Sequence, residues 1–228
     1  EIAQIFSPAI VFSNELIDAF PVHRIIMREG KLRELRVGLS DGSDFVWAES
    51  DLDAPLLAYC ERTQLKLAEG QITEVNLHAD NFILRAAALL ERGFVITVDY
   101  GAERNELLHD PYRRQGTLRA SYHHQVTGDV LVDPGKRDLT TTIDWTQIKE
   151  AGERAGLRAT RLERLDRFLL NEGLLDELEV LTRAAPDDAE ALRLRTGARE
   201  MIMPDGMATS FQVLVQEKLS LASCDVLR

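Results

Sequence analysis

Cysteine is nearly absent from this sequence: Cys60 and Cys224 are the two it holds in 228 residues. They lie far apart and offer no metal-ligand spacing. Ordinary thiols of a reducing compartment account for them, and a single long-range disulfide is the other arrangement that two cysteines allow. Long apolar runs are missing too, since none approaches the roughly 18 residues of a membrane-spanning helix. No secretory signal pattern heads the sequence, which opens on Glu1 rather than on Met. The expected location is therefore the cytosol, or the mitochondrial matrix for a protein whose leader is not in this sequence. Basic residues are the minority, with 27 Lys and Arg against 38 Asp and Glu and a formal net charge of −11. That balance argues against a general nucleic-acid or anionic-membrane binder, which needs a basic face. A basic protein or peptide remains an acceptable partner.

What is present suffices for a folded core: 45% of the residues are hydrophobic and 29% are charged. The stretch PAIVFSN (8–14) is a short apolar run halted by polar residues, the pattern of a buried parallel strand. Ser13 or Asn14 is placed to cap a short helix through Phe20, which Pro21 stops. Residues 22–39 read as a β-hairpin about Glu29-Gly30-Lys31, with DFVWAES (44–50) as a further strand. Apolar spacing predicts helices over 54–69 and 77–92, closed by Gly70 and Gly93. FVITVDYG (94–101) is a second run of buried-strand type. Residues 102–137 read as polar loop, 142–155 as a helix, GLRATRLER as a strand, and 166 to about 199 as a helical segment interrupted at Ala185-Pro186. TSFQVLVQEK (209–218) alternates as a last strand. Two continuously apolar strands with helices between them imply parallel pairing, so the fold class is α/β. The expected organisation is one domain over 1–228, with a β-hairpin insert at 22–50 and a helical insert at 166–203.

In such sheets reactive groups gather where strands end at their carboxyl edge. Asn14, Glu15 and Asp18 follow the first apolar strand, and Asp99, Tyr100 and Gly101 follow the second. If those strands are parallel neighbours, the two clusters line one crevice. The ordinary alternative for the first cluster is a helix start, a cap followed by carboxylates at the positive end of the dipole. For the second it is a polar strand exit with a glycine turn. The 102–125 loop carries Arg104, Arg113, Arg114, Arg119, His109, His123 and His124. Adjacent histidines point apart in extended chain, so a metal site is not expected there. Hydrogen bonding of the loop to the sheet is the main expectation, with substrate contact, His124 included, as the alternative. Asp138 to Thr142 and Asp144 read as a capped helix entry, and DPGKR lacks the glycine pattern of a phosphate loop.

Six stretches, FSNELIDAFPVHR, VITVDYG, GTLRASYHH, DPGKRDLTTTIDW, RFLLNEGLLDEL and GMATSFQVLVQEK, resemble in order the MidA-type S-adenosylmethionine-dependent methyltransferases. That family includes a mitochondrial complex I assembly factor that methylates protein arginine. The resemblance implies a class I, Rossmann-like methyltransferase fold in which AIVFSN, FVITVDYG, LRATRLER and SFQVLVQEK are strands four, five, six and an antiparallel seven. It also implies S-adenosyl-L-methionine as cofactor. The family's Gly-rich loop after strand one and acidic residue after strand two have no counterpart here. The expectation is therefore a carboxyl-terminal portion lacking the first strands, inactive by itself. A bare apolar edge at residues 9–13 would then pair with a missing N-terminal segment, a cleaved piece or a second copy of the chain, as in a homodimer.

On that resemblance Glu15 is the guanidinium-binding carboxylate, with Asp18 one helical turn on as its companion. Asn14, Glu15 and Leu16 border the cofactor, and Asp99, Tyr100, Gly101 and His124 meet the substrate. A carboxylate in this role grips the guanidinium fork and draws positive charge away from the attacking nitrogen. The leading expectation is a protein arginine methyltransferase. A non-catalytic assembly protein on the same fold and a methyltransferase for another substrate are the alternatives.

Overall fold

The computed structural model describes residues 8–42, 44–122, 125–203 and 206–219. In chain order it begins with β1 (Ala9–Asn14), β2 (His23–Arg28), β3 (Lys31–Leu39), β4 (Phe45–Ser50) and α1 (Ala54–Thr63). It continues with β5 (Ile72–Val75), α2 (Leu77–Leu89), β6 (Gly93–Asp99), β7 (Gly101–Ala102), α3 (Arg104–His109), β8 (Arg119–Tyr122) and β9 (Gln125–Thr127). The remainder is β10 (Asp138–Thr140), β11 (Ile143–Asp144), α4 (Trp145–Arg154), β12 (Arg158–Arg164), α5 (Leu165–Asn171), α6 (Leu174–Ala184), α7 (Asp188–Ile202) and β13 (Gln212–Lys218). Two compact units result: Glu1–Glu15 with Ala86–Gly101 and Gly152–Arg228, and Leu16–Arg85 with Ala102–Ala151.

The first unit is built on a four-stranded sheet in the order β1-β6-β13-β12. β1 runs parallel to β6, whereas β13 is antiparallel to both β6 and β12. The last strand is thus antiparallel, as the resemblance implied, and the structure sets it between β6 and β12. β13 does not show the expected alternation: Val213 to Gln216 are four consecutive buried residues, because the strand is covered on both faces. β1 departs the other way. It lies at the sheet edge, and Ile10 and Phe12 are 61% and 62% exposed. Gly93 opens β6 at φ 141°, and a β-carbon there would sit 1.9 Å from the Ala9 carbonyl oxygen, so the two parallel strands could not start side by side with any larger residue. Val98, Leu165, Ala208, Val213 and Val215 form the core with Phe168, Leu169, Met201 and Phe211 packed against it. The expected helical run over 166–199 is three helices, broken at Gly173 (φ 89°) and again before Asp187, which caps α7 through the Glu190 amide at 2.8 Å.

The second unit carries an antiparallel sheet in the order β4-β3-β2-β5. Glu29 and Gly30, both at positive φ, make the tight turn that the sequence placed between β2 and β3. Side chains alternate across this sheet. Ile25 and Val75 face Leu56, Tyr59 and Cys60 of α1, while Ile26, Leu35, Ile72 and Trp47 occupy the opposite face. Full burial of Ile25 and Leu56 contributes about 1.5–3 kcal/mol each.

Several expected boundaries shift in this unit. α1 stops at Thr63, not near 69, because Gln64 adopts the left-handed conformation and its amide bonds back to the Cys60 carbonyl. Leu67 still reaches the core from the segment beyond it. α2 ends at Leu89 rather than 92. α4 begins at Trp145, not Thr142, with the Asp144 carboxylate accepting from the Gln147 amide at 3.1 Å. β5 was not anticipated. The 102–137 region, expected as loop, holds α3, β8 and β9. No helix covers 14–20, so neither the capping role of Ser13 or Asn14 nor the one-turn spacing of Glu15 and Asp18 applies.

Candidate functional site

β1 and β6 end together because their parallel register sets Asn14 opposite Val98. Ser13, buried, donates its hydroxyl to Thr97 Oγ1 at 3.5 Å across the pair. The Glu15 amide then donates to the Val98 carbonyl at 3.0 Å, extending the pairing one residue beyond the strand. At that point the backbone turns: Glu15 has φ 45°. A non-glycine residue in this region costs roughly 1–2 kcal/mol. The turn throws the Glu15 side chain out at the carboxyl end of the sheet, where Asn14 Nδ2 donates to its Oε1 at 3.2 Å.

On the neighbouring strand Asp99 is fully buried, and its Oδ1 accepts from the Tyr100 amide at 2.9 Å. The Tyr100 ring rests against Phe211, with centroids 5.2 Å apart and planes inclined by 56°. Asn14, Glu15, Asp99, Tyr100 and Gly101 are therefore brought to adjacent strand ends within one unit, as their positions predicted.

The other predicted residues fall elsewhere. Leu16 and Asp18 belong to the second unit. Leu16 is 39% exposed, and Asp18 is 5% exposed. The Asp18 carboxylate accepts from Thr140 Oγ1 at 2.7 Å, and its carbonyl accepts from the Thr141 amide at 3.0 Å. Asp18 thereby ties the 138–142 segment to the chain just beyond Glu15. His124 lies outside the described residues. Among the described residues no three His, Cys, Asp or Glu side chains converge as metal ligands.

Sequence reasoning missed a charge cluster that lies in the second unit. Arg104 donates through Nε to Asp144 at 2.8 Å and forks onto both oxygens of Glu150 at 2.8 and 2.9 Å. Glu103 accepts from Lys149 at 2.6 Å and from Thr146 at 2.5 Å. Burial pushes the Asp144 carboxyl above its ordinary value, with Arg104 pulling against it. Burial also raises the Tyr59 hydroxyl, and the Asp144 charge adds to that. Glu103 goes the other way, since the bonds from Lys149 and Thr146 outweigh the cost of burial. These partners lie 40 to 46 residues apart, so no local pattern announces them.

The strand ends can serve a cationic sulfonium ligand in part. Asn14 and Glu15 supply oxygen acceptors and Tyr100 supplies a ring, groups that suit a positively charged, methyl-bearing centre. Among the described residues no glycine-rich turn follows β1 or β6 to enclose the rest of such a ligand.

Residues 1–162 match the family model described as "Putative S-adenosyl-L-methionine-dependent methyltransferase", and the chain belongs to that family. The structure is similar to a Burkholderia thailandensis protein crystallised bound to S-adenosyl-homocysteine: TM-score 0.79, 31% identity, 93% of this chain and 54% of that one. A native crystal structure from the same organism aligns at TM-score 0.79 and 30% identity, over 93% of this chain and 56% of that one. Among curated proteins, the mitochondrial protein arginine methyltransferase NDUFAF7 homolog of Drosophila melanogaster is 26% identical over 90% of this chain and 46% of its own length. The mouse protein arginine methyltransferase NDUFAF7 is 26% identical over 89% of this chain and 44% of its own length. The chain spans about half the length of these relatives.

Proposed function

We propose that this chain forms part of an S-adenosylmethionine-dependent methyltransferase that modifies an arginine side chain of a protein, with a respiratory-complex subunit as the first class of substrate to examine. The observation that carries the reading is Glu15. A carboxylate held in left-handed backbone immediately after β1, beside the end of β6, occupies a costly conformation that glycine would adopt freely. The likeness to protein arginine methyltransferases supports arginine as the acceptor, and the S-adenosyl-homocysteine in the Burkholderia neighbour supports the cofactor.

When bound, the cofactor supplies an electrophilic methyl group. The residues of this chain have a different task, because a protonated guanidinium is a poor nucleophile. Glu15 grips two of its nitrogens and concentrates positive charge there, leaving the third nitrogen freer to attack. Asn14 fixes the carboxylate through its hydrogen bond to Oε1. Asp99 sets the course of the backbone into Tyr100, whose ring forms an apolar wall.

Among the described residues β1 is the end strand of its sheet, with Ile10 and Phe12 exposed, and this edge fits a further strand, either more of the same protein or another copy. The expected location is a bacterial cytoplasm, or the mitochondrial matrix in a eukaryote, the latter in keeping with the mitochondrial relatives. The test is a labelled-methyl assay of the intact protein against candidate respiratory-complex subunits. Glu15→Gln is expected to cut arginine methylation by about 10²-fold or more while leaving cofactor affinity nearly unchanged. Undiminished turnover would remove Glu15 from this role.

A further inference from the structure

The second unit presents a groove that the strand-end chemistry does not use. Its floor is the face of the β2–β4 sheet opposite α1, where Leu35, Val37, Phe45 and Trp47 line up across β3 and β4. The 128–134 segment forms the other wall. Three hollows of about 490, 510 and 660 Å³ adjoin there, the first sharing Phe45, Trp47 and Leu131 with the second and Arg24, Leu35 and Leu118 with the third. A run of adjoining hollows suits an extended chain better than one compact ligand. The apolar surface is open: Val37 is 54% exposed and Phe45 43%. Among the described residues β4 is the last strand of its sheet, so its outer backbone edge is available for pairing.

The charges along the groove decide what would enter it. Both arginines of the floor are already paired: Arg24 with Glu74 at 3.2 Å, its guanidinium 4.7 Å above the Trp47 ring, and Arg28 with Glu49 at 2.7 Å. Asp133 is held by Lys136 and Arg137. Asp44 and Asp129, which line the hollow beside Phe45, form no ion pair among the described residues. An apolar trough with two uncompensated carboxylates at its mouth, on a chain of net charge −11, complements a segment that is apolar and basic.

We propose that this groove binds an extended segment of the methyl-acceptor protein in which apolar side chains alternate with Lys or Arg, lying along β4 and seating its apolar residues on Val37, Phe45 and Trp47. The identity of the segment as part of the acceptor rests on the protein-methyltransferase reading above. Strand addition at an open edge supplies affinity through the backbone and specificity through alternate side-chain pockets.

Fluorescence anisotropy of the intact protein with labelled Gly-Lys-Leu-Arg-Phe-Lys-Gly, and with the same peptide carrying Glu for each Lys and Arg, tests the groove directly. The basic peptide is expected to bind at least about 10-fold more tightly than the acidic one. The double substitution Asp44→Lys with Asp129→Lys should erase or invert that preference, and Val37→Glu should weaken both peptides. Asp44→Asn with Asp129→Asn gives the same reading with less perturbation if the reversal disturbs folding. Equal affinity for the two peptides, or a preference that survives the aspartate substitutions, overturns the proposal. Binding requires no turnover. Loss of methyl transfer with groove binding intact therefore counts against the enzymatic reading alone, and methyl transfer without groove binding counts against the groove alone.

Discussion

The Glu15 amide hydrogen-bonds the Val98 carbonyl at 3.0 Å, so the parallel pairing of β1 and β6 continues into a residue whose backbone is already left-handed. That contact makes the position of the Glu15 carboxylate a consequence of the sheet rather than of a loose loop. With the role proposed for Glu15, it also sets stability against activity at a single site.

Glu15→Gly should relieve the left-handed strain, for which glycine has no steric penalty. The unfolded-state entropy that glycine adds offsets part of the gain, leaving a net stabilisation of about 0.5–1 kcal/mol. Methyl transfer should be lost in the same protein. Urea unfolding and a labelled-methyl assay on one preparation check both halves. A variant that is destabilised by more than about 1 kcal/mol would contradict the strain argument.

Arg104→Met should be destabilising. It leaves the part-buried Asp144 carboxylate and its neighbour Glu150 without the guanidinium that bridges them. Removing one partner of a fully buried ion pair costs about 3–5 kcal/mol, and the part-buried setting here brings the expected loss to about 1–3 kcal/mol. Arg104→Met with Asp144→Asn should recover part of that loss. Thermal unfolding of the single and double variants measures the difference.

Glu103 has a pKa held below its ordinary value, so the folded state favours its charged form. The stability it contributes is present above the unfolded carboxylate pKa of about 4.3 and is lost as pH falls through the folded value. Because the side chain is 45% exposed, solvent screening limits the contribution to about 0.2–1 kcal/mol. Glu103→Gln should flatten that part of the stability curve below pH 4.5 and lower the plateau at pH 7 by a similar amount.

Cys60 is buried, and burial pushes its thiol up to about 11. At pH 8 the thiolate fraction is about one in a thousand. Iodoacetamide should leave Cys60 unmodified in the native protein and alkylate it after denaturation. Peptide mass spectrometry distinguishes position 60 from position 224, and rapid native labelling at 60 would contradict the burial of that side chain.

Local pattern sufficed for the elements that place the candidate site. The apolar runs at 8–14 and 94–101 announce β1 and β6, the Glu29-Gly30 turn announces the β2–β3 hairpin, and the polar residues after each run mark the strand ends. Each of these signals is complete within a few residues, which is the range of hydrophobic alternation and turn preference. The tertiary structure decided what depends on distant parts of the chain. It replaced the helix expected after Asn14 with a left-handed turn at Glu15. It gave Asp18 to Thr140, 122 residues away, and gathered Arg104, Asp144 and Glu150 into one ion-paired cluster. It covered β13 on both faces, although its sequence alternates as a half-buried strand would. Such partners are set by the path of the backbone, and a window of local sequence carries no record of which side chain will be folded back against it.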